Sequence, residues 1–561
     1  MRQLVTVPRC RCACVVAAAL FHFAAAGLRA QCPDGSIPPC RERGARAGRE
    51  ALPPRSVAVL YLDNLSRDSN DVYLADGITE EIISRLGQVQ RLAVKSRYAV
   101  RRFRSRTDQD PAALGRVLGV MHLVTGSIER AGSRLRVRVE LVAATSGRHL
   151  WGATFDRGDR DVLAIEDDIA QSVAGEVIGR LAPSERVVLT ARLTRNRDAY
   201  DHYLRGNFYL SRRTSEADGR RALEEYRAAL QLDPSFAAAH GRLGFVYGIY
   251  ASWPWPYPGL THDSLIALAL ASADRAITLD SASADGWLAR GFALTPAAAT
   301  ADGWRGFVLS PALTATEVTC SLGTAACVRE ARRALARALE LDSTNAELWY
   351  QYGRTFLLDS GGFRDSAFER SLTLDPDRAV SAWILGWSYL RDHRIAESLR
   401  MLDSAIALGR HDISIHSLRL QARLAAGDVP GARADLDVVG RLLEPVLPGD
   451  SIADVVYQSM WVVAEATGGD STAARRRLEA LLARYPPPRI QIGTMLVNLA
   501  AALVAAHATD QSRALLERIP PTRLWFAIRN PLWDPVRSDP RFRHLETTVR
   551  AALPSPTEVD R

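Results

Sequence analysis

The sequence predicts a small mixed α/β domain followed by an α-helical solenoid, and three observations carry that prediction. Between Ala331 and Pro376 two helical stretches meet at a tight break, each with an apolar face at 3.6 spacing. Ala331, Leu335, Ala338 and Leu341 form the first stripe, and Trp349, Tyr352, Gly353 and Phe356 form the second. The break recurs as Leu232-Asp233-Pro234, Leu279-Asp280-Ser281, Leu341-Asp342-Ser343 and Leu374-Asp375-Pro376, each closing an Ala-rich helix and opening another. Upstream, residues 55 to 182 alternate short apolar runs with turn signals, which reads as strands and helices together. A chain of 561 residues is too long for one core, so a leader, a globular domain and a repeat array are expected.

The leader comes first. Arg2, Arg9 and Arg11 precede an apolar stretch from Cys14 to Leu28, the pattern of a secretory signal peptide over residues 1–30. That stretch is short for a comfortable membrane span. An uncleaved signal anchor, which would tether the protein to a membrane, is the alternative because Leu28 is large for a cleavage site. Export fits the cysteines. Cys10, Cys12 and Cys14 lie in the leader, and the other four form two local pairs, Cys32 with Cys40 and Cys320 with Cys327. In an oxidising compartment these pairs are expected as disulfides, whereas a metal site would gather its thiols and histidines together. Residues 31–54 are rich in Pro, Gly and Arg without periodicity and read as a linker.

The α/β domain begins at Ser56. Val57 to Leu62 suits a buried strand, Tyr73 to Val89 has helical spacing, Leu92 to Val94 is a second strand, and Asp110 to Leu118 a short helix with Pro111 in its first turn. His122 to Glu129, Leu135 to Ala143 and His149 to Asp156 follow as three strands joined by hairpin turns, and a helix from Val162 to Leu181 closes the unit. The order implies a mixed sheet with helices packed on it. Val57-Ala-Val-Leu, Asn64-Leu65-Ser66, Ala75-Asp76-Gly77-Ile78-Thr79-Glu80, Leu118-Gly119-Val120, Thr125-Gly126-Ser127-Ile128 and Leu150-Trp151 occur in that sequence order. On these residues the domain, 55–182, resembles the module related to the amino-terminal domain of TolB and to FlgO-type proteins. The resemblance implies an accessory or sensory module, found beside repeats, regulators or cyclases in longer chains, and it implies no catalytic residues.

The repeat array is expected over 198–519. From Asp342 to Asp375 the step is 33 residues, while the steps of 47 and 62 before it leave inserts of roughly 13 and 28 residues, near 251–264 and 297–325. In the breaks, Asp is expected to cap the following helix. His240, Leu243, Gly244 and Tyr247, then Trp349, Tyr352, Gly353 and Phe356, then Leu385, Gly386 and Tyr389 occupy matching positions. These units resemble tetratricopeptide repeats, a family in which the first helix of each repeat lines a concave groove. Carried over by position, the resemblance places Phe245, Phe292, Tyr350, Arg354, Trp383, Trp387 and Arg391 on or near that groove. Aromatic and Arg side chains are what peptide-binding hot spots favour. Residues 520–561, with two Pro breaks around Trp533, are expected to cap the open end of the stack.

Chemistry was sought in the same residues. No phosphate-cradling Gly loop, G-x-S-x-G elbow or H-E-x-x-H motif occurs, and neither a kinase catalytic loop nor a cyclase domain. His411 and His416 are expected at the surface, Glu166-Asp167-Asp168 as acids favoured by a helix dipole, and Asp450 as a helix cap. Lys95, Arg97, Arg101, Arg102, Arg104 and Arg106, with Tyr98 and Phe103, read as a solvated charged face. The net charge of +8 is slight for this length, with Lys95 the one lysine, and implies no partner; nucleic acid is disfavoured because an exported protein rarely meets it. Trp253-Pro-Trp255-Pro-Tyr257 reads as a loop folded back on the stack. No cofactor or metal is implied. The expectation is an exported, non-enzymatic scaffold or adaptor binding a peptide or protein partner. The alternative is an envelope signalling accessory whose α/β domain senses a small ligand.

Overall fold

Ser56-Val-Ala-Val is buried along its whole length, which suits a parallel strand covered on both faces, and it forms β1 (Ser56–Val59). β1 runs parallel to both β3 (Ala93–Val94) and β4 (His122–Ala131). β4 continues into an antiparallel meander with β5 (Arg134–Ala143) and β6 (His149–Gly158), giving the order β3-β1-β4-β5-β6. A two-residue β2 (Asp63–Asn64) adds to β4 in parallel. Along β5, Leu135, Val137, Val139 and Leu141 are buried while Arg134, Arg136, Arg138 and Glu140 face solvent, the period of two expected for a half-buried strand. Helices α1 (Val72–Gly87), α2 (Arg97–Arg101), α3 (Pro111–Leu118), α4 (Val162–Ile178) and α5 (Pro183–Leu189) accompany the sheet. The mixed sheet is as expected. The short helices α2 and α5 and strand β2 were not.

This architecture comes from a computed structural model that describes residues 52–104, 110–158, 161–212, 215–252, 257–295, 324–356, 364–445, 447, 449–490 and 493–552. Cys32, Cys40, Cys320, Arg106, Trp253 to Pro256 and nearly all of the second insert lie outside the described residues.

Beyond α5 the chain is helical. The pairs are α6 (Arg197–Arg212) with α7 (Glu216–Leu232), α8 (Ala237–Ser252) with α9 (His262–Leu279), α10 (Ala284–Leu294) with α11 (Thr324–Leu341), and α12 (Ala346–Phe356) with α13 (Asp365–Leu374). They continue as α14 (Ala379–Arg391) with α15 (Ile395–Ala407), α16 (Ile413–Ala425) with α17 (Val429–Leu443), α18 (Ser451–Thr467) with α19 (Ser471–Arg484), and α20 (Gly493–Ala505) with α21 (Thr509–Leu516). Partners pack on each other and each pair on the next, the stacking of a solenoid. Close approach within pairs depends on missing side chains. A Cβ on Gly353 would lie 2.8 Å from the buried Phe368 ring, and one on Gly386 would lie 2.6 Å from Leu402 Cγ.

The recurring Asp does a different task from the one expected. Asp233, Asp280 and Asp342 accept the backbone amides of Ser235, Ala282 and Thr344, two residues on, and so fold the turn itself. The following helix is capped later: Ser283 accepts the Gly286 amide at 3.2 Å.

The α/β domain and the first four pairs share one continuous hydrophobic core, from Val57 to Leu348. The array and the domain are therefore built together: a Cβ on Gly77 of α1 would sit 2.8 Å from Leu204 of α6, and Tyr73 donates a 2.6 Å hydrogen bond to Asp201.

The tail packs on the last pairs and also reaches back to earlier helices. It comprises α22 (Pro521–Ile528), a 3₁₀ turn (Pro531–Val536) and α23 (Pro540–Ala551), and the 3₁₀ turn lies against both α16 and α20. Asn530 donates to Gln421 at 2.6 Å, Arg529 to Asp392 at 2.8 Å, and Asp534 meets His393 at 2.9 Å. The reason is Trp533, which is 1% exposed, with its indole donating to the Ala527 carbonyl at 2.7 Å. Such a residue stabilises the fold by burial against the stack. No helix among the described residues is long and apolar enough to cross a membrane.

Candidate interaction surface

The first helices of the pairs are the elements the family pattern assigns to a groove. In α14, every residue from Ser381 to Arg391 is buried, and in α8 every residue from Leu243 to Ala251. A helix buried on all sides has no polar face left for solvent. Groove-facing positions on these helices are thus covered by the protein's own chain.

Five of the seven groove residues sit inside. Phe245 and Phe292 are buried with ring centroids 5.0 Å apart. Trp383 and Trp387 are buried and stacked at 6.4 Å, with the Arg410 guanidinium 4.5 Å over Trp383. Arg391 is buried beside Asp392, and burial together with nearby Arg529 of the tail disfavours its charge. At these positions large aromatics one or two turns apart on a first helix fill the space between helices. Tyr350 and Arg354 on α12 are half-buried. Arg354 donates to Gln351 at 2.7 Å, and the Arg378 guanidinium lies 4.9 Å over Tyr350.

Two segments provide cover. One is the tail, over α16 and α20. The other is the basic run of the α/β domain, in which Arg101, Arg102 and Arg104 are exposed while Arg97 and Arg104 are paired with acids of α1. Arg97 donates to Glu80 at 2.8 Å and Arg104 pairs with Asp76, its guanidinium 4.5 Å from the Tyr61 ring. Asp76 and Glu80 lie one turn apart on α1, so the acids present one face to the run. From there the run reaches the array. Arg101 donates to the Ser211 carbonyl at 3.4 Å, Tyr98 to Asn345 at 3.3 Å, and Ser96 Oγ to the Leu374 carbonyl at 3.1 Å. Ser96 also caps α2 by accepting the Ala99 amide. The signal legible in sequence was the pairing of an acidic motif, Asp76 to Glu80, with the basic run after it.

The acids Glu166 and Asp167 prove to be junction residues. Glu166 is fully buried and accepts from the Tyr200 hydroxyl at 2.9 and 3.0 Å, while Arg85 pairs with Glu166 at 3.3 Å and also with Asp167. Burial pushes the Glu166 carboxyl well up despite Arg85. The dipole reading is replaced by a buried ionic cluster joining α1, α4 and α6. His416 is likewise buried, 3.0 Å from Asp435, which also accepts from Arg419 and Arg423, whereas His411 is exposed. Asp450 caps α18 as expected, accepting the Ile452 and Ala453 amides. Tyr257 packs edge-on against Tyr250 at 5.2 Å. Cys327 is buried on α11.

No protein-family model matches the chain. Over 242 residues it is 32% identical to a protein of Rhizobium meliloti (strain 1021) named "Putative adenylate cyclase 3", an alignment covering 43% of this chain and 40% of that protein. The chain thus spans about two fifths of that relative's length. Among solved structures it is similar to Pseudomonas aeruginosa pilF, with 17% identity, coverage of 46% of this chain and 95% of that one, and a TM-score of 0.32. It is also similar to yeast Tom70, with 13% identity, coverage of 70% and 78%, and a TM-score of 0.30. From its stacked helix pairs and their glycine-mediated close packing, the repeat half has the fold of a tetratricopeptide-repeat solenoid, with a mixed α/β domain built onto its first pair.

Proposed function

We propose that this protein is an exported, non-enzymatic adaptor that holds a peptide or protein partner on its repeat array. The observation that carries the reading is the row of eight stacked helix pairs among the described residues, in which α12 keeps part-exposed side chains at Tyr350 and Arg354. Export rests on the leader pattern in residues 1–30, and the two local cysteine pairs, Cys32 with Cys40 and Cys320 with Cys327, are proposed as disulfides formed on the way.

Within the array, Tyr350 and Arg354 are the contact pair, because they alone of the seven groove residues keep solvent-facing surface. The other five support the helices that present them. In a peptide-library screen against the full chain, Tyr350→Ala with Arg354→Ala is expected to weaken binding by at least tenfold while leaving the melting temperature within a few degrees. Unchanged affinity would remove this surface from the proposal.

A signalling accessory is the second reading. It is favoured by the relative named as a cyclase, of which this chain matches about two fifths. A melting-temperature rise with a soluble metabolite that binds the isolated sheet face, in a variant lacking peptide binding, would favour it over the adaptor.

A further inference from the structure

The contact between the basic run and the fourth helix pair has no counterpart in a simple stack. Solenoid repeats touch only their neighbours. Yet within ten residues the run reaches the first pair through Arg101 and Ser211, and the fourth through Ser96 with Leu374 and Tyr98 with Asn345. We propose that the segment from Lys95 to Arg104 is a releasable clasp, which holds the first and fourth pairs together and opens the α12–α13 face to the partner when it lets go. Only the last step, opening toward a partner, rests on the adaptor reading.

The two ends of the clasp differ in kind. Toward the first pair the α/β domain is joined by an apolar core, by Gly77 against Leu204 and by the buried cluster of Arg85, Glu166 and Tyr200. That end is permanent, because breaking one partner of a buried ionic cluster leaves an uncompensated charge. Toward the fourth pair there are two neutral hydrogen bonds, each of which exchanges readily with water. Burial also disfavours the Lys95 charge, and the like charge of Arg370 on α13 adds to it, while Arg101 acts favourably on Asp375. The segment itself is anchored on α1 by Asp76 with Arg104 and Glu80 with Arg97. On release it therefore stays with the α/β domain, and the edge of the fourth pair at Asn345 and Leu374 is freed while Leu348 stays in the shared core.

The test is hydrogen exchange on the full chain without any partner. Ser96→Ala with Tyr98→Phe removes both hydrogen bonds with little change of shape; it also removes the α2 cap and the Arg97 bond to Tyr98, so Tyr98→Phe with Asn345→Ala, which leaves the cap in place, is measured beside it. Amides of α12 and α13 are expected to exchange five- to thirtyfold faster, equivalent to about 1–2 kcal/mol, with β1, α1 and α6 unchanged. Arg370→Ala, at an exposed position, removes the repulsion and is expected to slow the same amides. Unaltered exchange in α12 and α13, or equal acceleration throughout the α/β core, would overturn the clasp. Failure of any peptide to bind the opened double variant would sink the adaptor reading and leave the clasp standing.

Discussion

Asp76 shows how one buried carboxylate connects motif, segment and stability. It is almost fully buried on α1, and burial pushes its carboxyl up to about 6, with Arg104 pulling the other way. Between its unfolded value near 3.8 and about 6, the folded state keeps a proton that the unfolded chain has released. Stability therefore falls as pH rises through that window, and the deficit persists at neutral pH. Asp76→Asn, which carries no charge to bury, is expected to raise stability at pH 7 by about 1–2 kcal/mol and to flatten the slope between pH 4 and 6. Urea midpoints at pH 4.5 and pH 7 measure both effects; a lower midpoint at pH 7 would mean that the pair with Arg104 outweighs burial. At this scale the sequence was hardest to read. Arg85 meets Glu166 and Asp167 across about eighty residues, so no local pattern distinguishes those acids from ones placed by a helix dipole. His416 gave no sign of Asp435 because the two sit 19 residues apart on different helices.

At the scale of elements, the local pattern carried much more. Strand β5 follows its alternation residue by residue, and the helix pairs begin and end close to their Leu-Asp breaks. Leu348, fully buried, belonged in the stripe of α12 where half-buried Trp349 had been placed, an offset of one position. α2 escaped notice because five residues are too few for a periodicity to declare itself. The small residue of the repeat pattern has a direct physical role. In Gly386→Val the added carbons must enter space held by Leu402, which is fully buried on α15. Overpacking of this kind costs about 1–3 kcal/mol, read as a lowered denaturation midpoint. Leu402→Ala on that background is expected to recover part of the loss, which a purely local helix effect at Gly386 would not allow.

For the whole molecule, hydrophobic cores run across the boundaries between domain, array and tail. One runs from the sheet through the first four pairs, and another joins the last pairs to the tail. Trp533 is the tail's principal anchor in the second. Trp533→Ala is expected to cost about 3–5 kcal/mol and to raise exchange in α16 and α20 as well as in the tail. If exchange rose in the tail alone, the tail would be an appendage and not part of the core. The fold-back was invisible in sequence because Asn530 and Gln421 are more than a hundred residues apart and neither is unusual in its own context.

The returning tail also sets a threshold for any visitor to α14 or α16. A segment attached to the same chain acts as a competitor at an effective concentration in the millimolar range, whatever the protein's own dilution. A short peptide that grips those helices only weakly is outcompeted at any realistic dose. A long partner that first grips another part of the array becomes tethered in turn, and then meets the tail on equal terms.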